Sequence, residues 1–204
     1  MALTFGVMMT GCIGYYSEMS RLTDDDLSWI EMYEEGDTLL YESELNEIDT
    51  IVVGRVRQTN RNNPFYIHFL DDYKGSTYEA YAGYFLKIAH SNKLLNVRVR
   101  ITKLLTNDNL NIEAYFGGLF SRAWESEYDY GQEKRYYKGE NPIKIKPYRY
   151  KDKIIENCIV FDKDNSRYSE YYNELDSVEY FVISKDYGLL SYKFTNSTEY
   201  TRKE

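Results

Sequence analysis

The sequence predicts a mainly β protein: an antiparallel meander forming a sandwich or an open or half barrel of about nine strands, with one short N-terminal helix. Three observations predict it. The 204 residues include 23 Tyr against 12 Gly and only 3 Pro, and Tyr suits a pleated, half-buried surface with its ring inward and its hydroxyl toward water. From Asp37 onward apolar residues recur with a period of two, the signature of half-buried strands. Leu, Ile, Val and Phe make up about 24% of the chain, above the roughly 20% below which charged chains stay disordered. The length favours one compact domain.

The helix comes first. In "RLTDDDLSWIEMYEEGD", Thr23 is the expected N-cap, Asp24 to Asp26 fill the first turn, and Asp26 stands at the reciprocal position of a capping box. Leu22 and Leu27 form its staple, Leu27, Ile30 and Tyr33 its apolar stripe, and Gly36 its stop. Two strands follow, "DTLLYESEL" and "DTIVVGRVRQT", joined at Asn46-Glu47 as a hairpin. In the second, Thr50, Val52, Gly54 and Val56 alternate with Ile51, Val53, Arg55 and Arg57, which predicts a strand buried on both faces at its start and on one at its end.

"FYIHFL" and the turn 71–75 lead to a long strand in which Tyr78, Ala80, Ala82, Tyr84, Leu86 and Ile88 share a face. "LLNVRVRITKLL" places Leu95, Val97, Val99 and Ile101 inward and Asn96, Arg98, Arg100 and Thr102 outward, and "LNIEAYFGGLF" repeats the alternation. These three make a meander. The aperiodic, charged segment 121–141 is the expected long loop, where function concentrates. "IKIKPYRY", "IIENCIVFD", "SVEYFVISK" and "LLSYKFTN" complete the strands, the last two joined through Asp186-Tyr187-Gly188.

Charge and motifs exclude several function classes. With 25 Lys and Arg against 33 Asp and Glu, the net charge is −8, and interspersed acids leave no basic footprint for nucleic acid. Two His and two Cys are too few for a structural zinc site. No GxGxxG, P-loop, HExxH or GxSxG motif occurs, so no cofactor and no enzyme is expected, a hydrolase being the lesser alternative. His68 and His90 lack a nucleophile or an orienting carboxylate at a recognisable spacing. Cys158, among Ile154, Val160 and Phe161, reads as a small core residue. In "DKDNSRYSE", Asp162, Asp164, Ser166 and Glu170 match ligand positions of a calcium loop, but Arg167 replaces the turn glycine and Asn173 the last glutamate, so the candidate is weak.

Residues 2–12 read "ALTFGVMMTGC". Met9-Thr10-Gly11-Cys12 resembles the cleavage box of a bacterial lipoprotein signal peptide, with Met where Leu is usual. The resemblance implies that Cys12 carries the lipid anchor, that residues 1–11 are the remnant of a removed signal peptide, that 12–22 link the anchor, and that 23–204 form a single β-rich domain. No Lys or Arg precedes the run, so the true start is expected upstream. Ile13, not Asp, follows the Cys, which implies the outer membrane, with the periplasmic or surface face open. "LTDDDLSWIEMYEEGDTLLYES" and "YFVISKDYGLLSYKFTNSTEYTR" are similar to the opening and closing segments of small uncharacterised Bacteroidetes lipoproteins, a group that lends an address and a fold class but no activity.

Two functional readings stand. One is a non-catalytic cell-envelope lipoprotein that binds another envelope component through its loop or sheet edge. The other is an apolar-ligand or lipid carrier of half-barrel or lipocalin-like form, with Tyr78, Tyr84, Leu86, Val97 and Val99, beside Leu95 and Ile112, as its ligand-binding face. They differ in whether that inward row packs dry or lines a cavity.

Overall fold

The computed structural model describes residues 12–68, 76–90, 93–105, 110–124, 145–164, 166–168, 177–195 and 198–203. The expected signal remnant 1–11 and most of the expected loop 121–141 lie outside the described residues. The chain is mainly β. Its strands are β1 (Cys12–Met19), β2 (Thr38–Ser43), β3 (Ile48–Thr59), β4 (Phe65–His68), β5 (Ser76–Tyr78), β6 (Tyr81–His90), β7 (Lys93–Lys103) and β8 (Leu110–Phe116), then β9 (Leu119–Trp124), β10 (Lys146–Tyr150), β11 (Lys153–Asp162), β12 (Arg167–Tyr168), β13 (Val178–Ser184), β14 (Gly188–Phe194) and β15 (Glu199–Arg202). One helical turn, α1 (Asp24–Leu27), lies between β1 and β2.

Twelve strands form one sheet in the order β10-β11-β13-β14-β15-β2-β3-β6-β7-β8-β9-β12, antiparallel at every pairing. The C-terminal β15 pairs with β2, so two meanders are sewn into one surface. That surface curls into an open half-barrel. The β8–β9 turn reaches the opposite side, where Val178 N–H donates to the Gly117 carbonyl and the Phe116 ring meets Phe181, Tyr192 and Phe194. A smaller sheet, β4-β1-β5, pairs β1 antiparallel with β4 and parallel with β5. Strand β1 thus runs through residues expected as an anchor linker.

The helix is shorter than expected. Thr23 does cap it, with both bonds of the capping box formed, but it ends at Leu27 instead of reaching Gly36. Leu27, Trp29, Ile30 and Tyr33 are all buried, but the segment after Leu27 is held by turns and not by a continued α-helix. The backbone tightens instead, with Trp29 N–H on Asp26 and Ile30 N–H on Leu27, and the segment is pressed into the concave side of the sheet. Tyr33 packs edge-on against Tyr84 at 4.7 Å, and its hydroxyl accepts from the Leu189 N–H at 2.9 Å. Lys103 Nζ meets Asp26 Oδ2 at 3.1 Å, both side chains nearly buried.

The strand count also rises, from about nine to fifteen among the described residues, for local reasons. "YFGGLF" is not one strand: Gly117 and Gly118 take φ of +50° and +89°, a left-handed two-residue hairpin that glycine makes cheap. The long strand from Ser76 breaks at Glu79-Ala80 into β5 and β6. The closing "EYTR" adds a paired strand beyond "LLSYKFTN". In β3 the register shifts between Val53 and Arg55, so the expected alternation changes phase. Asp49, Ile51 and Val53 point inward, while beyond the bulge Val56 packs on the core and Arg55 and Arg57 are exposed. Val52 is exposed, so the strand's start is not buried on both faces.

Candidate functional site

The row proposed as a ligand-binding face lies in the core. In the β6–β7–β8 register Tyr84 stands opposite Val99, Leu86 opposite Val97 and Ile101 opposite Ile112. Tyr84, Leu86, Val97, Val99 and Ile112 are at most 1% exposed, in one continuous cluster with Trp29, Ile30, Tyr33, Phe181 and Tyr192. Only Tyr78, at the margin, is half-buried; its hydroxyl accepts from Arg61 N–H at 3.1 Å. The α1 segment and the far strands fill the space a ligand would need, so these residues pack dry against a second layer.

The opposite face of the same strands is different. Bulged β3 brings Arg55 opposite Phe85 and Arg57 opposite Gly83 on β6; on its other side β6 sets Phe85 opposite Arg98 and Gly83 opposite Arg100 of β7. The four arginines and Lys87 are exposed. They surround a concavity of about 670 Å³ floored by Gly54, Gly83 and Phe85, within the range of small-ligand sites. Gly54 matters here, because a Cβ on it would sit 3.1 Å from Phe85 Cδ1; its absence lets the ring lie over the bulge. Arg100 stacks on Tyr81, guanidinium carbon 4.7 Å from the ring centre. Among the described residues none of these five cations forms an ion pair. Glu113 on β8 stands opposite Arg100 at the edge of an adjoining hollow.

The fold also supplies an orienting carboxylate that no spacing in the sequence reveals. Asp49, 3% exposed, receives His90 Nδ1–H at 2.9 Å and the Tyr192 hydroxyl at 2.6 Å. His90 stacks near Phe194, and Tyr192 lies parallel to Tyr200, whose hydroxyl donates to Glu47 at 2.7 Å. Burial, then the Asp49 charge, push the Tyr192 phenol far up. A carboxylate-held imidazole is half of a nucleophile-activating arrangement, but among the described residues no hydroxyl or thiol is hydrogen-bonded to its other nitrogen. What it visibly does is pin β3, β6 and β14 together.

The remaining predicted residues are placed as follows. Cys12 begins β1, paired with His68 at the backbone; both side chains lie outside the described residues. Cys158 is fully buried, its thiol pushed up to about 11 by burial, which suits a core residue. Asp162 Oδ1 accepts the Asp164 N–H at 2.9 Å, a turn-forming bond that gives the Asp162 carboxylate a backbone role. Ser166 is half-buried beside them, and Glu170 lies outside the described residues. Comparison with known proteins finds no matching family model, no matching curated protein and no matching solved structure.

Proposed function

We propose that this chain is a non-catalytic binding domain of the cell envelope, tethered through an acylated Cys12, which meets its ligand on the outward face of β3, β6 and β7. One observation carries the reading: the inward row is packed with protein, whereas the outward face gathers five cations, with no ion pairs among the described residues, around a concavity. Exposed charges normally disperse over a surface of mixed sign, and on a chain of net charge −8 their concentration marks a place where charge is used. The tether rests on the cleavage-box resemblance at Met9 to Cys12. The dry core weighs against the apolar-carrier reading, since a carrier needs its inward face open.

Side-chain footprinting along β6 tests the reading, because successive residues there face opposite ways. Phe85 should be labelled in the free protein and shielded by a cell-envelope extract from the source organism, with Tyr84 and Leu86 unlabelled in both states. Labelling of Tyr84 and Leu86 that the extract suppresses would move the site to the inner face.

A further inference from the structure

We infer that the outward face of β3, β6 and β7 binds an anionic glycan, a sugar chain bearing carboxylates or phosphates, with guanidinium groups on its charges and one ring stacked on Phe85. The inference deepens the proposed function and rests on its reading of this face as the binding surface. The register fixes the layout. Arg57 and Arg100 flank Gly83, while Arg55 and Arg98 flank Phe85 two residues along. With strands about 4.8 Å apart and a rise of about 3.4 Å per residue, the four Cα atoms outline a rectangle of about 10 by 7 Å. One carboxylate or phosphate cannot engage all four corners in paired, fork-like contacts. A ligand using the whole face carries at least two anionic groups.

The floor of the rectangle selects the rest of the ligand. Between the first pair of arginines Gly83 leaves bare backbone, and between the second pair lies the Phe85 ring, with no aromatic partner among the described residues. A flat apolar ring beside an open slot suits the C–H face of a sugar with its polar substituents directed outward. The centre of a protein interface is depleted in charge; here charge frames the centre. Single-stranded nucleic acid is tracked by a long basic groove with successive stacking aromatics, whereas this face offers one free ring on a chain of net charge −8.

The test is binding of the full chain to polygalacturonate, phosphorylated mannan, neutral dextran and oligothymidylate, with Phe85 footprinting in each mixture. Polygalacturonate or phosphorylated mannan should bind, shield Phe85 and weaken as salt rises. Arg57→Glu and Arg98→Glu should each lower that affinity by about tenfold or more with the melting temperature unchanged, since both side chains are exposed. Which polymer binds more tightly identifies the anionic group. Dextran binding equal to the anionic polymers, tighter binding of oligothymidylate, or indifference to the two variants overturns the inference. Shielding of Phe85 by envelope extract but by neither anionic polymer overturns the ligand class and leaves the face standing; no shielding by any of them overturns both.

Discussion

Raising the pH from 7 to 11 should destabilise this protein through its buried tyrosines, by at least the amount that the three most deeply buried of them contribute. Tyr41, Tyr84 and Tyr192 are at most 1% exposed, and burial, the largest cause in each case, pushes their phenols well above the ordinary value of 10. In the unfolded chain each ionises near pH 10. Above that pH the unfolded chain sheds protons that the folded chain keeps, so folding stability is fully present below about pH 10 and falls as pH rises beyond it. At pH 11 each phenol costs about 1.4 kcal/mol, and the three together about 4 kcal/mol. That is a large share of the roughly 5–15 kcal/mol that holds a domain folded. Tyr84→Phe isolates one contribution. The Tyr84 hydroxyl is buried without a hydrogen-bond partner among the described residues, so its removal should leave stability at pH 7 unchanged or raise it by about 1 kcal/mol. The variant should also recover about 1.4 kcal/mol of the alkaline loss at pH 11, the share of one phenol. Urea unfolding followed by circular dichroism at pH 7 and pH 11, with tyrosinate absorbance read in parallel, measures both quantities. A folded protein whose buried tyrosines all ionise at pH 10, or a Tyr84→Phe variant with the full wild-type loss, would refute the reasoning.

Two further outcomes follow from single residues. Lys103→Met strands the nearly buried Asp26 carboxylate and should cost about 3–5 kcal/mol in urea unfolding, while the double variant with Asp26→Asn should cost less than the sum of the two single changes; strict additivity would deny the pair any coupling. Cys12→Ser should move the protein from the membrane fraction to the soluble fraction, and continued sedimentation with membranes would remove the lipid tether.

The sequence and the structure agree where the signal is local. Period-two alternation through Tyr84, Leu86 and Ile88 and through Leu95, Val97 and Val99 marks core-facing positions that pair in register, and the Thr23 capping box forms as its spacing requires. Asn46 does make the β2–β3 turn, with φ of +61°. Other features were visible but overridden. Alternation continues across Gly117-Gly118, so a hairpin reads as one strand, although paired glycines are a turn signal. The bulge at Gly54 shows only as a three-residue step from Val53 to Val56. Long-range features left no trace in spacing. Asp49 and His90 lie 41 residues apart and meet because β3 pairs with β6. The outward arginines of β3 and β7 were legible on their own strands, but not their gathering around Phe85, which needs β6 inserted between them. Nor does any periodicity reveal that α1 and Tyr33 fill the concave side.

Hydroxyl-radical labelling of Tyr84, Phe85 and Leu86, with and without envelope extract, tests the central claim most directly, because three consecutive residues of β6 report on opposite faces of one strand. Of the three, Phe85 alone should be oxidised in the free chain, and the extract should protect it. Oxidation of Tyr84 and Leu86 in the free chain, suppressed by the extract while Phe85 stays unchanged, would contradict the claim.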